Sequence, residues 1–179
     1  NQLSIEDIAT KMRREWNPEE LRKQNSSDDF LRPLNAEGVG DLLRKDISKR
    51  LQEYIDKANL FFERDILDQH YTYSYLRGIQ ELIRADKADV GQLNWDQLID
   101  LFISIKDSGE ATPFDSVSRE RHSFDAWLAG WNAVNSAMTD MIQELLQDIN
   151  GSTPIDFSKH RDNLFGVLSY LLNYQDPTP

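Results

Sequence analysis

Residues 123–149 read SFDAWLAGWNAVNSAMTDMIQELLQDI. Phe124, Trp127, Leu128, Trp131, Val134, Met138, Met141, Ile142, Leu145, Leu146 and Ile149 recur mostly at steps of three and four, which gathers them on one helix face. Ser123 is the right residue type to cap the start, and Asn150 with Gly151 supplies the left-handed conformers that end a helix. The spacing therefore predicts a single helix over 123–149. Each such side chain gains about 1.5–3 kcal/mol on leaving water, so a stripe this long requires other helices to cover it.

Those helices are legible elsewhere in the chain. Ser4 followed by Glu6 and Asp7 caps a first helix with Ile5, Ile8, Met12 and Trp16 on its face. Asn17 and Pro18 stop it and start a short second one. Residues 25–34 are polar or proline-broken and serve as a connector. Asn35 then caps a long predicted helix on which Val39, Leu42, Leu43, Ile47, Leu51, Tyr54, Ile55, Ala58, Phe61 and Phe62 form one stripe, interrupted only by Gly38 and Gly40. On this count Arg44, Lys45, Lys49, Arg50, Glu53 and Asp56 face solvent. After a break near 65–69, Tyr71, Tyr75, Leu76, Ile79, Leu82 and Ile83 mark the next helix, and the short connection favours an antiparallel pair. Residues 85–93 form a charged connector, and Asn94 opens a helix with Trp95, Leu98, Ile99, Phe102 and Ile105. The stretch 107–121 is long for a link inside a compact domain, and such links are either functional or mobile. After Pro154 a last helix carries Phe157, Leu164, Phe165, Leu168, Leu171 and Leu172.

No stretch alternates as a strand does, so the predicted class is all-α over a single unit, 1–179. Residues 1–34 supply the N-terminal helices and connector, and 35–179 supply antiparallel helix pairs stacked as an irregular HEAT-like solenoid, with a closed bundle as the alternative. Trp127, Trp131, Leu145, Leu51, Tyr54, Ile79, Phe102 and Leu168 are the expected core. The final stripe has no later helix to pair with, which predicts exposed apolar surface and self-association there. The start without Met and the exit DPTP at 176–179 fit a segment of a longer protein.

Composition narrows the function. A formal charge of −11 in 179 residues repels phosphate backbones and anionic lipid, and no apolar run approaches the roughly 18 residues that span a bilayer. Nucleic acid and membrane are not the expected partners. The sequence has no cysteine, which excludes disulfides, zinc–thiolate sites and thiol catalysis and fits a reducing compartment, hence a cytoplasmic expectation. His70, His122 and His160 fall in different segments without metal-ligand spacing and read as solvated or helix-end side chains. No phosphate-binding loop, dinucleotide fingerprint, nucleophile elbow or calcium loop occurs, so no catalytic, cofactor or metal residue is assigned. Lys11, Arg13 and Arg14, and Arg44, Lys45, Lys49 and Arg50, lie beside acids and read as solvated faces. Tyr73 and Arg77 sit one turn apart outside the Tyr71, Tyr75, Ile79 stripe. With Leu168 and Leu172 on the last helix, they are the candidate partner-binding residues.

Four segments carry a resemblance: AEGVGDLLRKDISKRLQEYIDKANLF at 36–61, DQHYTYSYLRGIQELIRADK at 68–87, LNWDQLIDLFISI at 93–105 and LFGVLSYLLNYQDPTP at 164–179. From about Ala36 onward the chain resembles the helical region that follows the ATPase core in very large bacterial NTPase-type proteins, some linked to phage defence. The shared motifs, such as the Tyr-x-x-Leu-Arg-Gly element from Tyr73 to Gly78, are short and structural. The nucleotide-binding motifs of such proteins are absent here, so the resemblance implies that any such chemistry lies outside this segment. The expected role is a non-catalytic scaffold or sensor region contacting the remainder of a parent chain or another protein. The alternative is a nucleic-acid-contacting module of a defence-type ATPase.

Overall fold

Ser4 accepts the Asp7 backbone N–H at 3.1 Å through its side chain and opens α1, Ile5–Arg13, whose Ile5, Ile8, Ala9 and Met12 are buried. Asn17 accepts the Glu19 N–H at 3.0 Å at the head of α2, Pro18–Gln24. Asn35 does the same for Gly38 at 2.8 Å and starts α3, Ala36–Ile47. The computed structural model describes residues 2–24, 35–85, 93–108, 127–146 and 157–175. The remaining elements are α4, Leu51–Asp56; a 3-10 turn, Ala58–Phe61; α5, Gln69–Arg84; α6, Trp95–Ser108; α7, Trp131–Leu146; and α8, Phe157–Gln175. Among the described residues there is no strand, and the chain is all-α.

The long helix expected from Asn35 is broken into three pieces. At the break the Ser48 hydroxyl donates to the Lys45 carbonyl at 2.8 Å, a local bond that competes with helix continuation. Arg50 then folds back: its guanidinium holds the Asp46 carboxylate and donates to the Leu3 carbonyl at 3.1 Å. Tyr54 donates its hydroxyl to the same Asp46 at 2.7 Å. Arg50, expected to face solvent, is thus largely enclosed, and Leu51, expected in the core, is half-buried. The redirected chain carries Tyr54, Ile55, Ala58 and Phe61 into the interior.

α5 is the centre of the molecule. It makes its broadest contacts with α3 on one side and α7 on another, while α6 packs chiefly on α8 and on the 3-10 turn. The larger helix contacts thus join alternate helices, where the sequence had suggested neighbours in the chain. Ten of the sixteen residues of α5 are buried, several of them polar, so those polar groups need partners. Thr72 donates to the Phe61 carbonyl at 2.8 Å, Tyr75 to the Tyr54 carbonyl at 3.0 Å, and Tyr71 to the Trp16 carbonyl. Burial pushes the Tyr75 hydroxyl well above its ordinary titration range. The Phe61 and Tyr75 rings stack at 4.5 Å.

Two glycines allow α3 and α5 to meet. A Cβ on Gly40 would stand 2.5 Å from the Ser74 hydroxyl oxygen and 2.9 Å from His70 Nε2, and one on Gly78 would stand 3.3 Å from the Arg44 Cα. These residues weaken the isolated helices and make the interface possible.

The stretch 123–149 is shorter as a helix than its periodicity predicts. α7 begins at Trp131, and residues 127–130 are not helical. The Ala129 N–H is taken by the His70 side chain, and Gly130 supplies the carbonyl that accepts the first turn of α7, from Ala133 at 3.0 Å. Trp127 therefore leaves the helical register and is 45% exposed, not part of the core. Trp131 and Leu168 are half-buried against the core, whereas Leu145, Tyr54, Ile79 and Phe102 are fully interior. Ser123, Asn150, Gly151 and most of 107–121 lie outside the described residues.

Candidate functional site

Two surfaces bring together the residues singled out from the sequence. The first is a groove of about 350 Å³ between α7 and α8. Ile142 and Leu146 form one wall, and Leu164, Phe165 and Leu168 the other, with Arg161 at the rim. Leu164, Val167 and Leu171 turn inward along α8. Phe165 and Leu172 lie on an adjoining face and are 61% and 70% exposed. The Arg161 guanidinium lies 5.8 Å from the centre of the Phe165 ring. An Asn135 to Tyr170 hydrogen bond, 3.3 Å, ties the two helices together. Burial raises the Tyr170 hydroxyl above its ordinary range, while the Asn135 contact pulls it down. Leu168 is thus a groove wall and Leu172 an exposed neighbour. The α7 wall escaped sequence reasoning because Ile142 and Leu146 belong to a stripe that reads as core throughout. The signal was its width, which exceeds what one packed face needs.

The second surface is the ridge of α5 that meets the approach to α7. Tyr73 and Arg77 do lie together, with the guanidinium 5.6 Å from the ring centre. Neither is freely exposed. Trp127 packs edge-on to Tyr73 at 5.3 Å, and Arg77 donates to Asp140 at 2.8 Å and to Gln80. Hydrogen bonds to Tyr73 and Asp140 hold the Arg77 guanidinium above its ordinary pKa, although burial, the largest influence, opposes them.

Both described histidines lie in the first turn of a helix, as the helix-end reading has it, but they are buried and not solvated; His122 lies outside the described residues. His70 is buried because α5 is covered on the side it faces. Its Nδ1 accepts the Ala129 N–H at 3.1 Å, and its Nε2 is buried without a hydrogen-bond partner. His160 Nε2 meets Asp96 at 2.9 Å, and Lys159 meets the same carboxylate at 2.6 Å, fastening α8 to α6. Lys159 first, and His160 with it, hold Asp96 below the usual carboxylate range. Ser158 is two residues from His160, a spacing that turns the two side chains to different sides of α8. Among the described residues no group of three or more His, Asp or Glu is placed to hold a metal ion. No helix among them is long and apolar enough to cross a membrane.

Several cations of the basic clusters are already engaged by acids. Arg13 pairs with Glu63 at 2.7 Å, Lys11 with Glu15 at 2.6 Å, Arg44 with Asp41 and Arg50 with Asp46. No protein-family model matches the sequence, and neither a curated protein nor a solved structure matches it.

Proposed function

We propose that this chain is a non-catalytic helical scaffold whose α7–α8 groove receives an apolar helix from another protein or from the rest of a longer parent chain. The observation that carries this reading is the set of exposed apolar side chains Leu146, Phe165 and Leu172, with the half-buried Leu168, beside a groove with two helical walls. An amphipathic helix laid in such a groove buries residues at three- and four-residue spacing. Each large apolar side chain covered in this way contributes about 1.5–3 kcal/mol gross. With a net charge of −11, the favoured helix carries basic residues beside its apolar stripe. The rows α3, α5, α7 and α6, α8 support a stacked, HEAT-like arrangement. The resemblance to the helical region of large bacterial NTPase-type proteins supports a rigid cytoplasmic arm beside chemistry carried elsewhere.

Photo-crosslinking in cells tests this reading. A benzophenone amino acid at Phe165 or Leu172 is expected to give discrete adducts, whereas the same group at Leu42, 65% exposed but alone on α3, gives none. Adducts of twice the chain mass identify a second copy as the occupant. Absence of adducts from 165 and 172, or equal yields from 42, overturns the reading.

A further inference from the structure

His70 joins three elements through one ring. It is 2% exposed, on the second residue of α5, with α3 behind it at Gly40 and the 127–130 segment in front. The Trp127 and Tyr71 rings meet it edge-on at 5.9 Å, and Tyr73 lies at 6.4 Å. Since Nδ1 accepts the Ala129 N–H, the neutral ring carries its proton on Nε2. That N–H is buried beside Gly40 and Ser74 and makes no full hydrogen bond, although the Ala36 carbonyl also acts on the ring.

Adding a second proton changes the contact qualitatively. Nδ1 becomes a donor facing another donor, the Ala129 N–H, and a full charge appears in a site closed to water. The charged and titratable groups around the ring are Asp41 and Arg44 on α3 and Asp68 at the head of α5, with the Tyr71 and Tyr73 hydroxyls on α5 itself. The apposed segment contributes Trp127 and the Ala129 amide. We propose that His70 is a proton-controlled latch: the neutral ring holds residues 127–130 against α5, and the protonated ring releases them, uncovering Tyr73 beside Arg77.

The titration of the ring supports this direction. Burial, the dominant influence, lowers its pKa from 6.5 to about 4; Asp68, the Ala36 carbonyl and Asp41 oppose the shift, and Arg44 adds to it. A depressed value means that the closed state is fully favoured above pH 6.5 and loses that advantage as pH falls to about 4. The latch works independently of the α7–α8 groove, which lies elsewhere on α7.

Hydrogen exchange of the Ala129 amide, corrected for the intrinsic rate, tests the latch in the intact chain. Its protection is expected to fall by about one to two orders of magnitude between pH 7 and pH 4 while that of Ile79 on α5 holds. His70→Asn keeps an acceptor near the Nδ1 position and removes the titration, so protection at 129 should become independent of pH across this range. Nitrogen NMR of the wild-type ring should find the proton on Nε2 at pH 7. A ring carrying it on Nδ1, an Ala129 amide that tracks Ile79, or an unchanged pH response in His70→Asn overturns the proposal. If the variant fails to fold, the two wild-type measurements still decide.

Discussion

The contact between α3 and α5 and the contact between α7 and α8 use similar residues to opposite ends. At the first, Gly40 and Gly78 let the backbones approach until no Cβ fits, and most of α5 is buried. At the second, leucines and a phenylalanine remain in water, and on α8 itself Gly166 has open space where a Cβ would stand. Apolar composition is therefore a poor guide to which helix pair is the core. Closeness of approach decides it, because dispersion and water exclusion both require contact without gaps.

Substitutions can break this contrast. The largest effect is expected on the sealed side. Phe61→Ala removes a fully buried ring stacked on Tyr75 and should cost about 3–5 kcal/mol in denaturant unfolding. Gly40→Ala comes next, at about 1–3 kcal/mol, because its methyl group would overlap the Ser74 hydroxyl and crowd His70. A thermal midpoint unchanged in that variant would mean that α3 and α5 stand further apart than described. On the open side the sign reverses: Gly166→Ala should stabilise by about 0.5–1 kcal/mol, since the added methyl meets nothing and favours the helix. If it destabilises instead, α8 is packed against something on that face.

The helix starts were legible because caps are local. Ser4, Asn17 and Asn35 each satisfy an amide two or three residues ahead, and the pattern in the sequence is the pattern in space. The break after Ile47 was not legible, because Asp46, Arg50 and Tyr54 all sit at spacings compatible with one continuous helix. What redirects the chain includes a bond to Leu3, more than forty positions away in sequence. The head of α7 was misjudged for the same reason: its periodicity is helical, but His70 claims the Ala129 amide across the fold. Leu168 and Leu172 were readable as parts of one helical stripe; that Leu168 turns partly inward while Leu172 stays exposed was not. The ring cluster around Tyr73 was not, since Trp127 reads as core and lies at the surface.

The alternate pairing of helices has a consequence for how the chain is made. α5 is complete at Arg84, but α7, which covers one of its sides, ends only at Leu146. At ribosomal speeds of about 5–20 residues per second, the roughly 60 residues between them take about 3–12 s to appear. For that interval the nascent helix offers an uncovered apolar flank, and α6, made within it, still lacks α8. Both rows close only when the last third of the chain has emerged, so truncation anywhere before α7 leaves a sticky intermediate in place of a smaller domain.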